Sequence, residues 1–261
     1  MKKINFTKMV GSGNDFIVIS SKPSGNLPGL AKILCDRKYG IGADGVLLLE
    51  KSKKADINMR IFNADGSEAQ MCGNGARCAA LFYGKAKSRI STAAGTINAL
   101  VSGSKVKIQL TEPKNIKLDI PLMVSGRKIK VNFINTGVPH AVVFVDGIDG
   151  IDLTQIGRVI RNHREFSPAG TNVDFVEVKG GNLIRVRTYE RGVEDETLAC
   201  GTGSTASALI FVLKSGADKL VRVATQSKEL LNIYFQNDNG KFSNVWLEGS
   251  ARIVYKGEYH V

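Results

Sequence analysis

Two segments of the chain, Met71-Cys72-Gly73-Asn74-Gly75-Ala76-Arg77 and Ala199-Cys200-Gly201-Thr202-Gly203-Ser204-Thr205, share one pattern: a cysteine, then Gly-x-Gly, then small and apolar residues. The pattern predicts a helix beginning at each cysteine. A thiol there lies beside the unpaired N–H groups of the first turn and the positive end of the helix dipole, and both favour the thiolate. The glycines let a bound anion approach the backbone closely. One such segment suits a nucleophile or an oxyanion pocket. Two of them, at positions 72 and 200, suggest two thiols facing one substrate from opposite sides.

Inversion of a carbon bearing an acidic C–H uses such a pair. One thiolate removes the proton from one face, the opposite thiol delivers a proton to the other, and the roles exchange in the reverse reaction. For an amino acid with no electron sink, charge develops on the α-carboxylate. Backbone donors at Gly73, Asn74, Gly201 and Thr202 would stabilise it, each by on the order of 3 kcal/mol in a dry site. No GxGxxG follows a predicted strand, no phosphate-loop motif is present, and no lysine sits in an evident pyridoxal site. The expectation is a reaction without cofactor.

Composition narrows the class. The 261 residues suffice for one large domain or two smaller ones, with 43% hydrophobic and 23% charged residues as in ordinary globular proteins. No apolar run is long enough to span a membrane, and the start Met1-Lys2-Lys3-Ile4-Asn5-Phe6 lacks a signal-peptide core, so a cytoplasmic location is expected. Cys35, Cys72, Cys78 and Cys200 form no Cys-x-x-Cys and three histidines are scattered, which argues against a disulfide framework and a zinc site. Cys35 and Cys78 read as packing residues. The net charge of +12 comes in short groups without interleaved aromatics, so solvated surface charge that attracts anionic metabolites is expected rather than a nucleic-acid surface.

The second half of the chain repeats the first. Gly11 to Ile19 faces Gly137 to Val145, Gly42 and Asp44 face Gly170 and Asn172, Arg60 to Asn63 faces Arg187 to Glu190, and Cys72 faces Cys200, in one common order. Strands are predicted at 16–20, 46–49 and 57–61, and again at 141–145, 173–178 and 183–187. In each half a turn and a Cys-Gly helix follow. The first helix runs to about Tyr83 with Gly84 as C-cap; the second, about 202–214, is apolar almost all round and is expected at the centre of its domain. Further strands are expected at 96–101, 106–110, 221–224 and 230–234. The boundary is placed at Thr111 to Asn115, giving domains 1–113 and 114–261, with a last strand near 251–261 able to join either sheet.

These residues resemble the diaminopimelate epimerase family over nearly the whole chain. The matching pieces are Gly11 to Phe16, Gly40 to Gly45, Phe62 to Glu68, Met71 to Cys78, Gly137 to His140, Asn172, Tyr189 to Gly192 and Ala199 to Gly203. The resemblance implies an α+β fold of two pseudo-symmetric domains, each a sheet curled around a central helix, with the active site in the cleft between them. It also implies cofactor-free interconversion of LL- and meso-2,6-diaminopimelate in lysine and peptidoglycan precursor synthesis, with no metal. By motif, Cys72 and Cys200 become the acid/base pair and Asn14, Asn63, Asn172, Glu190 and Arg191 substrate ligands. The amides of Gly73, Asn74, Gly201 and Thr202 would hold the reacting carboxylate. Arg191 offers a fork for a distal carboxylate, and Glu190 and the asparagines offer acceptors for its ammonium. His140 and Glu190 are expected to tune the thiols, His140 by hydrogen bonding near Cys72. The family's Gly-Asn-Pro-His motif has Val138 here, so one side-chain contact to the distal head is absent or replaced.

Taken singly, the asparagines also fit turn formers, Arg191 a surface arginine and His140 a buried structural histidine. A racemase of another amino acid on the same scaffold, a thiol redox protein and a non-catalytic binding protein are the competing readings. The partner expected is a small molecule, and a homodimer is one assembly the sequence allows.

Overall fold

The computed structural model describes residues 3–20, 25–217 and 219–260. The chain divides into two compact units, one of residues 1–109 with 249–261, the other of residues 110–248.

The first unit holds β1 (Lys3–Gly11), β2 (Asn14–Ile19), α1 (Leu27–Cys35), β3 (Gly45–Glu50), β4 (Ile57–Asn63), β5 (Glu68–Ala69), α2 (Gly73–Tyr83), β6 (Lys87–Thr92), β7 (Gly95–Ser102) and β8 (Lys105–Gln109). The second holds β9 (Lys114–Val124), β10 (Arg127–Asn135), β11 (Pro139–Phe144), α3 (Leu153–Arg161), β12 (Asn172–Gly180), β13 (Leu183–Glu190), β14 (Asp195–Thr197), α4 (Gly201–Ser215), β15 (Leu220–Ala224), β16 (Leu230–Asp238) and β17 (Lys241–Ser250), whose last two residues pass into the first unit. The closing strand, β18 (Arg252–His260), belongs to the first unit.

Pairing is the same in both units. β2 runs parallel to β3 and β11 to β12; β3–β4 and β12–β13 are antiparallel; β4 then runs parallel to β6 and β13 to β15. A short hairpin arm, β5 on β4 and β14 on β13, precedes each cysteine. The first strand of each repeat, β1 or β10, pairs antiparallel with the second. Its other edge is filled by a strand from the opposite repeat: β18 lies on β1, and β9 lies on β10. Each repeat thus sends its last strand into the other unit's sheet.

Both faces of the central strands are covered, which explains why Phe16 to Ile19 and Val46 to Leu49 are continuous apolar runs rather than alternating ones. On one face of the first unit Ile17, Ile19, Val46, Leu48 and Phe62 pack with Ala31 and Leu34 of α1. On the other lies α2, against β1 to β4, β6 to β8 and β18. In the second unit α3 contributes Leu153 and Ile160 to a cluster with Val143, Val173 and Phe175, and α4 packs on β10 to β13, β15 and β16. Residues Gly203 to Val212 of α4 are all buried, as its lack of a polar face requires.

Several elements have no counterpart in the sequence reading: β1, β6, β9, β10, β17, α1 and α3. β9 shows the reason, because it is mostly exposed, mixes lysines with apolar residues and carries Pro121 within the run.

Candidate active site

The two cysteines take the same local position. Cys72 is the N-cap of α2, in extended conformation, and its sulfur accepts the Gly75 N–H at 3.4 Å. Cys200 is the N-cap of α4, also extended, and accepts the Gly203 N–H at 3.4 Å. Each sulfur satisfies one orphan donor of its helix. Each hairpin arm before the cysteine is braced by a two-pronged ion pair. Arg60 Nε and Nη2 meet Glu68 at 2.7 Å, and Arg187 Nε and Nη2 meet Glu196 at 2.7 Å.

The glycines differ in what they are for. A Cβ on Gly203 would stand 2.3 Å from Asp174 Oδ1, so only glycine lets α4 start this close to β12. A Cβ on Gly73 or Gly201 would meet only a side-chain methyl, of Ile108 at 3.5 Å or Leu247 at 3.2 Å.

In the first unit Asn74, two residues past the cysteine, donates to Asn14 Oδ1 at 2.6 Å, and Asn14 donates to Asp44 at 2.9 Å. Arg77 is fully buried and donates to Asn74 Oδ1 at 2.8 Å and to the Ser12 hydroxyl. Asp44 belongs to an ionic cluster with Asp15, Arg37 and Lys8, in which Lys8 bonds Asp15 at 2.8 Å and Arg37 reaches both carboxylates. Asn63 ends β4, is exposed and donates to Ser67 at 3.0 Å.

The second unit repeats this plan with different groups. Thr202, two past the cysteine, meets His140 Nε2 at 3.0 Å, and its hydroxyl stands 3.3 Å from the Cys200 sulfur. His140 is fully buried, with Nδ1 at 2.7 Å from Asp174, whose other oxygen accepts from Thr188 at 2.7 Å. Asn172 accepts the Arg191 N–H at 2.8 Å and donates to Pro139 O at 3.2 Å, so its carboxamide fixes the turn after β13. Arg191 reaches the Ala169 carbonyl at 3.0 Å with Nη1. Glu190 ends β13, the place Asn63 holds in β4.

The helix-start argument predicted easier ionisation for both thiols. At Cys200 burial outweighs it: burial, then the carboxylates of Glu190 and Asp174, push the thiol well above its ordinary value, against the bonds from Thr202 and Gly203. Burial likewise raises Glu190. Cys200 therefore rests as a thiol, the acid form. Within the second unit the two ring nitrogens of His140 bond Asp174 and, through the Thr202 hydroxyl, lead toward Cys200.

Asn14, Gly73 and Asn74 are thus gathered at Cys72, and His140, Asn172, Glu190, Gly201 and Thr202 at the Cys200 end of the second unit. Arg77 and Asp174 had no role in the sequence reading. The available signal was a charged residue inside a buried run: Arg77 in an otherwise small and apolar helix, and Asp174 in the strand Asn172-Val173-Asp174-Phe175-Val176.

A family model described as diaminopimelate epimerase matches residues 6–120 and 132–254. The chain belongs to the diaminopimelate epimerase family. It is similar to diaminopimelate epimerase of Hydrogenobaculum sp. (strain Y04AAS1), 44% identical and covering 96% of each chain. It is also similar to that of Aquifex aeolicus, 43% identical with 97% of each chain covered. That of Methanocella arvoryzae is 43% identical, over 100% of this chain and 98% of the relative. Among solved structures, a Bacillus anthracis phenazine biosynthesis protein of the PhzF family superposes with a TM-score of 0.76 at 18% identity, covering 100% of both chains. A probable proline racemase from Agrobacterium radiobacter K84 gives 0.70 at 19%, covering 99% of this chain and 92% of that one. These two share the fold of the diaminopimelate epimerase family, and the likeness lends no weight to a racemase of another amino acid. The two-repeat α+β architecture is that of the family.

Proposed function

We propose that the protein interconverts LL- and meso-2,6-diaminopimelate by two-base proton transfer, with Cys72 and Cys200 as the acid/base pair and no cofactor. The observation that carries this reading is the equivalence of the two thiols, each an extended N-cap with a Gly-x-Gly helix start, in the two halves of a duplicated chain. A reaction that takes a proton from one face of a carbon and returns one to the other needs two such groups. The Cys200 thiol is poised to donate, so Cys72 takes the abstracting role in the direction that begins from this state.

The first-turn N–H groups of Gly73, Asn74, Gly201 and Thr202 stabilise the α-carboxylate as charge develops. Arg191 supplies a guanidinium for the distal carboxylate, with its backbone fixed by Asn172. Asn63 and Asn14 serve the substrate's remaining polar groups, and Glu190 tunes Cys200. Among the described residues no helix is long and apolar enough to cross a membrane; the proposed setting is the cytoplasm.

Incubation with LL-diaminopimelate in deuterated water tests the reading. The expected result is the meso product carrying α-deuterium. Absence of both epimer and deuterium incorporation would refute it. Cys72→Ala and Cys200→Ala are each expected to abolish inversion while leaving the circular dichroism spectrum and melting transition of a folded protein.

A further inference from the structure

We propose that Asp174 is a positioning residue which, through His140 and the Thr202 hydroxyl, completes a proton relay that converts the resting Cys200 thiol into a thiolate. The inference rests on the acid/base role proposed for Cys200.

Donor and acceptor bookkeeping fixes the direction of the chain. The Asp174 carboxylate accepts only, so the facing His140 Nδ1 carries a hydrogen, donated at 2.7 Å. In the neutral ring Nε2 then presents its lone pair, and Asn172 also points an amide nitrogen at it, at 3.5 Å. Thr202 has one hydroxyl hydrogen, which therefore goes to Nε2 at 3.0 Å. This leaves the Thr202 oxygen to accept from the Cys200 S–H at 3.3 Å. Both ends of the chain are buried, His140 and Asp174 each 0% and Cys200 9% exposed, with Thr202 half-buried between them.

The same four groups have a second consistent arrangement. The Cys200 proton passes to Thr202 Oγ1, and the hydroxyl's own proton passes to His140 Nε2. Sulfur becomes thiolate, the ring becomes imidazolium, the threonine is regenerated with its O–H turned to the sulfur, and Asp174 remains a carboxylate. No atom or charge is left over. Asp174 matters at both ends, because it fixes which nitrogen faces Thr202 and then neutralises the imidazolium. Thr188 holds its other oxygen, and Gly203, the residue that a Cβ would drive into Asp174, lets the helix start close over it. Glu190 acts in the opposite sense: its charge disfavours the thiolate, so Cys200 needs a proton acceptor elsewhere. The equivalent place in the first unit holds Asn74, Asn14 and Asp44.

The test reads the thiol directly, without diaminopimelate, so a failed relay and a failed epimerase assignment give different results. Full-length protein is treated with iodoacetamide at neutral pH, and alkylation of Cys200 and Cys72 is followed peptide by peptide by mass spectrometry. Asp174→Asn keeps shape and one oxygen but removes the charge; Thr202→Val removes the hydroxyl at constant volume. Each is expected to slow Cys200 alkylation by about tenfold or more, with Cys72 in the same molecules unchanged as the folding control. Thr202→Ser is expected to restore the wild-type rate, and the Asp174→Asn/Thr202→Val double variant to be no slower than the slower single one, because both act on one chain. An unchanged Cys200 rate in either single variant overturns the relay. So does loss of the rate in Glu190→Gln alone, which would make Glu190 the acceptor.

Discussion

Burial alone would raise the Asp15 carboxyl, but the hydrogen bonds from Arg37 and Lys8 reverse this and hold it at about 2, below its ordinary 3.8. A carboxyl depressed on folding contributes stability that is present above its unfolded value and is lost as pH falls through the folded one. For Asp15 that window runs from 3.8 down to about 2. Asp15→Asn is therefore expected to melt below wild type at pH 7, with the gap narrowing across this window; thermal melts at pH 7, 4 and 2 would show it. The cluster also anchors Asp44, on which Asn14 and then Asn74 depend. At this scale the sequence singles out the cysteines, Asn14, Asn172 and Thr202, because each lies in a local pattern with a local reason. Asp174 and Arg77 were not legible, since their partners come from far along the chain: Asp174 meets His140 across the β11–β12 pair, 34 positions away, and Arg77 of α2 meets Ser12 in the turn after β1, 65 positions away. The Cys200 thiol misled for a related reason. Its helix position is written locally, whereas its burial and the carboxylates beside it are not.

The hairpin arms that lead into each cysteine carry the same ion pair in different surroundings. Side chains of Arg187 and Glu196 are 13% and 21% exposed, those of Arg60 and Glu68 33% and 40%. Removing one partner from the better buried pair strands the other, so Arg187→Met is expected to cost about 2 kcal/mol. The more exposed pair is screened by water, and Arg60→Met is expected to cost about 0.5 kcal/mol. Urea unfolding followed by fluorescence or circular dichroism would measure both. The helix starts differ likewise. Gly203→Ala forces a methyl against a buried carboxylate and is expected to destabilise by about 2 kcal/mol, whereas Gly75→Ala meets a Leu47 methyl 3.0 Å away that can give and should cost less. Helices α2 and α4 were readable because Cys-Gly starts and glycine ends bracket them, Gly84 and Gly216 both lying at positive φ. Strands β9 and β10 were hidden because exposed, lysine-bearing stretches leave no clean period of two.

At the scale of the molecule, the duplication was legible as a run of matches in one order and the last strand as one able to join either sheet, whereas the matching placement of β9 on β10 was not legible. Nothing in β18 names its partner; β1 becomes its neighbour only through a register spanning Lys3 with His260 to Val10 with Arg252. Deleting residues 251–261 is expected to speed amide exchange in β1 and lower the melting point of the first unit, while peptides from residues 110–248 keep their protection. Hydrogen exchange read by mass spectrometry distinguishes the two halves.

The exchange of last strands also sets a timetable for synthesis. The second unit is one continuous stretch of chain, complete when residue 248 has left the ribosome. The first unit, although its residues emerge first, waits for the last dozen before β1 acquires its outer neighbour. Throughout translation the N-terminal strand keeps an open row of hydrogen-bonding groups, which another copy's β18 fits as well as its own. A copy newly released beside a chain still being made thus has a built-in route to lending it a tail.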